Sequence, residues 1–138
     1  MTHSVDKKHH CSGYDDCGTI IIQYHFPSGK LPSGTKYYGT SRTAFLPDNE
    51  DGRDVLRLLK ISFDRKLTFT VGTSVTTGQS NCVIWNGIHH KTNTHGGNLL
   101  IEYLCLKLIK FLGSSSFGYP DPTYCNRVRL ELACKGVI

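Results

Sequence analysis

Residues 19–26 read Thr-Ile-Ile-Ile-Gln-Tyr-His-Phe, a β-branched and aromatic run with the composition of a buried strand. A buried strand needs hydrogen-bonded neighbours and a layer to cover it, so this run constrains the rest of the chain. Pro27-Ser-Gly-Lys-Leu-Pro-Ser-Gly34 breaks it with turn residues, and a second strand-like run follows from Tyr37 to Leu46. Two such runs joined by a turn predict an antiparallel pair.

The covering layer is predicted to be helical. Leu46 to Gly52 reads as a turn in which Asn49 or Asp48 caps a helix start and the acidic residues favour its positive end. From Arg53 to Lys66 the apolar positions Val55, Leu58, Leu59 and Ser62-Phe63 recur at helical spacing with charges opposite. Leu67–Val71 and Cys82–Trp85 read as short strands around Gly72–Ser80. Near the C-terminus Pro122 suits a first helical position, Tyr124, Val128 and Leu132 follow at intervals of four, and Gly136 can end the helix. The fold class expected is α+β: a single compact domain over 1–138, mainly antiparallel sheet, with principal helices at about 52–66 and 122–135. No internal repeat and no interdomain linker interrupts it.

At 138 residues the chain has the usual size of one domain, and 38% hydrophobic with 20% charged residues suits a globular protein rather than a disordered one. Sixteen Lys and Arg against eleven Asp and Glu give a formal charge of +5, a mild excess that fits an anionic ligand such as a phosphate-bearing nucleotide. There is no dense basic block, so direct sequence-specific nucleic-acid binding is not expected. Met1–His10 has neither an apolar core nor a small-residue cleavage site, so a secretory signal is not expected. The six scattered cysteines then suit a reducing compartment, and none of their spacings matches a zinc site. One stretch stands apart. Asn98–Leu112 is far more apolar than its surroundings, yet it is shorter than the roughly 20 residues of a membrane span and carries Glu102, Lys107 and Lys110. A buried helix or strand pair, an oligomer contact, an interfacial segment and a sequence absent from the natural mature product all remain open for it.

Two segments can carry chemistry. In Gly72-Thr-Ser-Val-Thr-Thr-Gly78 the glycines release the backbone and hydroxyls crowd between them, a composition that serves equally an anion nest and a plain hairpin connection. No Gly-Lys-Ser/Thr follows, which excludes a P-loop. His89-His90-Lys91-Thr92 holds adjacent histidines, so one can face a pocket while the other packs; an imidazole can exchange hydrogen bonds with a ribose hydroxyl. Metal ligation by the pair lacks a third ligand at a matching spacing, and Trp85 reads as core or as a stacking face. Glu131 lies off the Tyr124/Val128/Leu132 stripe and reads as a solvated helix carboxylate or a general base. No Gly-x-Ser-x-Gly elbow exists, and no cysteine has a neighbouring basic motif.

Five motifs in order say more: Cys17-Gly-Thr-Ile-Ile-Ile-Gln-Tyr24, Arg42-Thr-Ala-Phe-Leu-Pro-Asp-Asn49, Leu67-Thr-Phe-Thr-Val-Gly-Thr-Ser-Val-Thr-Thr-Gly78, Trp85-Asn-Gly-Ile-His-His-Lys-Thr92 and Gly118-Tyr-Pro-Asp-Pro-Thr-Tyr124. Together they resemble the Deltex carboxy-terminal domain of the Deltex ubiquitin ligases, and Cys11-Ser-Gly-Tyr-Asp-Asp-Cys17 is most similar to the Deltex-3 and Deltex-3-like branch. The resemblance implies a domain that follows a RING, which recruits a ubiquitin-loaded E2. It implies a groove for NAD or ADP-ribose, free or attached to a macromolecule, with no cofactor required. It implies ubiquitin transfer to a ribose hydroxyl or a substrate lysine, roles in Notch signalling or in DNA-damage and antiviral responses, and residence in cytoplasm or nucleus with no membrane partner. By the same resemblance Gly72, Thr73, Ser74, Thr76, Thr77 and His89 form the ligand groove, Tyr119 is a further ligand residue, Glu131 is the catalytic base, and no metal is expected.

The departures from the family pattern bear on that expectation. Phe117 stands where some members carry a histidine that assists the ribose chemistry, and Val75 replaces a second serine of the loop. The His-Pro-x-Pro-Gly segment between the first strands is reduced to Leu31-Pro-Ser-Gly34. The apolar stretch at about 98–113 is inserted between the histidine pair and the Gly-Tyr-Pro-Asp motif. No RING cysteine/histidine set is present, so the chain alone is not expected to be an active ligase. The alternative reading is a non-catalytic protein-interaction module that has lost ligand binding.

Overall fold

The structure, a computed structural model, describes residues 1–97 and 117–138. In chain order its elements are β1 (Thr2–Asp6), β2 (Thr19–Phe26), β3 (Gly29–Lys30), β4 (Lys36–Tyr37), β5 (Thr40–Pro47), α1 (Glu50–Asp64), β6 (Phe69–Gly72), β7 (Cys82–Trp85) and α2 (Tyr124–Cys134). The domain is α+β with antiparallel sheets, as expected. Strand β2 is its centre: Ile20, Ile22 and Tyr24 are buried, and the strand pairs with β1 on one edge and β5 on the other. The β2–β5 register runs from Thr19 opposite Pro47 to Phe26 opposite Thr40. Strand β1 was not anticipated. Thr-His-Ser-Val is exposed throughout, so no apolar alternation marks it; it is held by backbone pairing, Thr2 opposite Gln23 to Asp6 opposite Thr19.

The run Tyr37–Leu46 is two strands rather than one. Tyr38 leaves the register to clamp the β6–β7 hairpin: its N–H donates to the Asn81 carbonyl at 2.8 Å and its carbonyl accepts from Val83 N–H at 2.9 Å. The turn segment 27–35 contains the small β3–β4 pair, Gly29 opposite Tyr37. Helix α1 begins at Glu50, not near 52, because Asn49 is the cap and its side chain accepts from Gly52 N–H at 2.9 Å. It ends at Asp64 because Lys66 takes a left-handed conformation (φ 60°), with Lys66 N–H on Phe63 O and Leu67 N–H on Ser62 O. Helix α2 starts two residues later than expected, since Pro122 and Thr123 form the preceding turn. It closes at Gly136 (φ 75°), where Val137 N–H reaches Leu132 O.

Val55 and Leu59 of α1, Val128 and Leu132 of α2, and Ile20, Ile22 and Leu46 of the sheet share one core with Tyr119 and Tyr124. Each such fully buried aliphatic side chain contributes about 1.5–3 kcal/mol. The apolar stretch near 98–113 lies outside the described residues. Its two flanks do meet: Gly97 N–H donates to Tyr119 O at 2.8 Å, and the Gly118 Cα packs so tightly on the His95 carbonyl that a Cβ there would collide with it. Residues 95–97 and 118–119 are thus held together beside the Gly-Tyr-Pro-Asp motif.

Candidate functional site

The two histidines after β7 divide their work. His90 is buried. Its Nδ1 lies 2.9 Å from the Ile88 carbonyl, which only accepts, so Nδ1 carries the proton and Nε2 accepts from the Tyr24 hydroxyl at 2.8 Å. Its ring stacks on Trp85 (4.2 Å between centroids, 22°), and burial pulls its pKa down to about 4. It is a neutral core histidine, and Trp85 packs with it. His89 faces the other way and is half-buried.

Helix α2 holds His89 from both sides of its backbone. Glu131 Oε2 accepts its N–H at 2.7 Å, and the Tyr124 hydroxyl donates to its carbonyl at 2.9 Å. Seven residues separate Tyr124 from Glu131, close to two helical turns, which is why both reach one segment. Glu131 thus sits at the margin of the buried stripe rather than in open solvent. Its Oε1 has no hydrogen bond among the described residues. The His89 ring lies nearly parallel to that of Phe117 (5.9 Å, 8°), and Phe117 is 60% exposed. The Phe117 carbonyl accepts from Thr92 and Asn93 N–H at 2.9 and 3.0 Å, so the two chain segments are sewn together at the site.

Tyr119 does not join this surface. It is fully buried, donates its hydroxyl to Phe45 O at 2.9 Å, and meets Tyr14 and Tyr124 edge-on. Tyr124 stands between it and His89, so Tyr119 acts on the site only through packing.

Gly72–Ser80 is the tip of the β6–β7 hairpin, and much of its hydrogen bonding closes on itself. Ser74 N–H donates to Gln79 O and Gly78 N–H to Ser74 O, each at 2.8 Å. Thr77 N–H reaches Ser74 Oγ and Gln79 N–H reaches Thr77 Oγ1, each at 3.3 Å. Thr73, Thr76 and Thr77 are exposed, while Gly72 and Ser74 are half-buried. The amides of residues 74, 77, 78 and 79 are therefore turned inward. Among the described residues no hydrogen bond or ring contact joins this tip to His89 or Glu131; the link is β7, whose last residue stacks on His90.

Under the site lies a charge cluster that the sequence did not reveal, where Asp121 stands only as one residue of the Gly118–Tyr124 motif. Lys91 has a fully buried side chain and donates to Asp121 Oδ2 at 2.6 Å. Arg127 Nη2 reaches the same oxygen at 2.7 Å, Arg127 Nη1 reaches Oδ1 at 3.0 Å, and Nη1 also donates to the Thr123 hydroxyl. Burial works to raise the Asp121 carboxyl, but the hydrogen bonds from Arg127 and Lys91 outweigh it and hold the pKa at about 2. Burial lowers the Lys91 ammonium, and Asp121 restores it only in part. The one signal in the sequence was a lysine directly after a histidine pair. Among the described residues no group of His, Cys, Asp and Glu gathers to hold a metal ion. The arrangement offers an anchored carboxylate with a spare oxygen, an imidazole, an exposed aromatic ring and a guanidinium.

Comparison with known proteins identifies the family. The model of the Deltex C-terminal domain matches residues 1–137. The "Probable E3 ubiquitin-protein ligase DTX3" of Homo sapiens is 47% identical over 129 residues, covering 90% of this chain and 33% of that protein. "E3 ubiquitin-protein ligase DTX1" of Xenopus laevis is 43% identical over 137 residues (94% and 19%), and "E3 ubiquitin-protein ligase DTX4" of Mus musculus 41% over 136 (94% and 20%). The chain thus spans a third or less of the relatives it matches. Matched along nearly its whole length, the chain belongs to the Deltex C-terminal domain family.

Proposed function

We propose that this domain binds ADP-ribose or NAD and serves a Deltex-type E3 ubiquitin ligase by recruiting ADP-ribosylated macromolecules. Ubiquitin would come from an E2 held by a RING outside this chain, in the cytoplasm or nucleus. The observation that supports the reading is that Glu131 anchors the His89 segment: 42 residues away in sequence, its Oε2 accepts the His89 backbone N–H at 2.7 Å, and its other oxygen carries no hydrogen bond among the described residues. That pair suits a ribose hydroxyl, since imidazole can hydrogen-bond it and a carboxylate can take its proton. Isothermal titration with ADP-ribose is the test. Binding that weakens in His89→Ala supports the reading; no heat at millimolar ligand with the domain folded refutes it. With purified RING, E1, E2, ubiquitin and NAD supplied, Glu131→Gln should lose transfer to ADP-ribose, and full activity would remove the base role from that residue.

A second reading is a protein-interaction module without ligand binding. The inward-turned amides of the hairpin tip favour it, because they subtract from the anion nest that Gly72–Thr77 was expected to supply. The same titration separates the two.

A further inference from the structure

If the hairpin tip spends its amides on itself, a phosphate-bearing ligand at His89 and Glu131 needs another partner. We propose that Arg127 is the anion-recognising residue of the site, taking a phosphate group of the ligand through its Nε–H and remaining Nη2–H. The inference rests on the ADP-ribose reading for the identity of the ligand, though not for the presence of an anion site.

A guanidinium has five N–H donors in a rigid plane and can present two of them at once along an edge. In Arg127 the two terminal nitrogens are bound by Asp121, Nη1 to Oδ1 and Nη2 to Oδ2, and the second Nη1 hydrogen goes to Thr123. The side edge, made by Nε–H and the other Nη2–H, carries no hydrogen bond among the described residues. That edge has the fork geometry that takes two oxygens of a phosphate. Arg57 uses its equivalent edge on Asp54, with Nε at 3.3 Å and Nη2 at 2.9 Å from one oxygen. In Arg127 it stands open, on a side chain one-third exposed to solvent.

The position fits. Arg127 lies one turn before Glu131, so the two share a face of α2 with about 5–6 Å between Cβ atoms. A ribose at Glu131 and His89 would have its attached phosphate within reach of the guanidinium. Lys91 and Arg127 share the carboxylate of Asp121, and Glu131 one turn on balances the remaining positive charge, so the fork geometry rather than net charge favours the anion. No acidic residue occupies the first turn of α2, and Thr123 makes no side-chain cap, so the positive end of the helix dipole is not neutralised by its own residues. Asp121 fixes the guanidinium plane from behind, which limits the entropy lost when an anion docks in front.

The test titrates parent, Arg127→Gln and Arg127→Lys with ADP-ribose, adenosine and inorganic pyrophosphate. It also follows the Arg127 Nε–H resonance of the parent during the pyrophosphate titration. Loss of one charge-assisted contact predicts ADP-ribose binding about ten-fold weaker in Arg127→Gln. Arg127→Lys should fall between, keeping the charge without the fork. Adenosine binding should be unchanged, which a merely structural role for Arg127 would not allow. Equal loss for adenosine and ADP-ribose, or none for ADP-ribose, overturns the proposal. If the parent binds no ADP-ribose, the ligand reading falls, and the resonance decides the rest: a saturable pyrophosphate shift supports an anion site at Arg127, and a silent signal overturns it.

Discussion

Asp121→Asn and Lys91→Met remove the two ends of one ion pair, and their effects on stability should differ sharply. A carboxyl held at about 2 instead of 3.8 corresponds to about 2 kcal/mol of native-state stabilisation. Because the folded-state value is the depressed one, that stability is present above pH 3.8 and is lost as pH falls toward 2. Lys91 gives the opposite sign, since burial lowers its ammonium despite Asp121. The carboxylate is the better gauge of the attraction because both cations touch it, whereas the ammonium mainly registers its own burial. Asp121→Asn therefore removes the ion pair of a fully buried cation, a loss of about 3–5 kcal/mol. Lys91→Met removes that cation and leaves Asp121 its two-point contact with Arg127, for a change within about 1 kcal/mol. Adding Lys91→Met to Asp121→Asn should recover part of the loss. Urea unfolding at pH 7, followed by far-ultraviolet circular dichroism, reads all three. A Lys91→Met variant as unstable as Asp121→Asn would refute the reasoning.

The buried neutral His90 predicts an acid-sensitive limb: between pH 6.5 and about 4 the unfolded imidazole takes a proton that the native one refuses, for a loss of about 3 kcal/mol. Urea midpoints at pH 7, 5.5 and 4 should show that fall and show it flattened in His90→Gln; an equal slope in both would discount the histidine. Gly118→Ala should lose about 1–3 kcal/mol by overpacking, because its Cβ meets the His95 carbonyl, a backbone atom with little room to move. A melting temperature within error of the parent would mean that this close approach is not maintained in solution. Lys66→Gly should gain about 0.5 kcal/mol or more, since a β-carbon is unfavourable at φ 60°. A lower urea midpoint for that variant would show that the lysine side chain contributes more than its backbone conformation costs.

What the sequence disclosed follows from range. Ile20, Ile22 and Tyr24 of β2 and the Val55/Leu59 and Val128/Leu132 stripes carry periodicity within a few residues, so the elements they mark were readable. Asn49 was readable as a cap because its contact with Gly52 is local. Strand β1 has the same local scale but a polar composition, and only its pairing with β2 makes it a strand. The site is different in kind. Family resemblance supplied His89 and Glu131 as names, yet their contact spans 42 residues and depends on where α2 begins. It also supplied Tyr119, whose hydroxyl turns inward to Phe45 once the aromatic cluster packs.

Asp121 shows most clearly why the remainder was hidden. Read locally, an acidic residue before Pro122 belongs to the positive end of a helix, and such a carboxylate ordinarily turns to the first free amides. Here Lys91 follows His90 into the interior, where its side chain is fully buried. A buried ammonium needs a counter-charge, and the demand is stronger than that of an exposed helix amide, which water can satisfy. Asp121 is drawn to Lys91, Arg127 follows it, and α2 is left without a side-chain cap. A long-range electrostatic requirement thus overrides a local preference, and the open guanidinium edge beside Glu131 is its consequence.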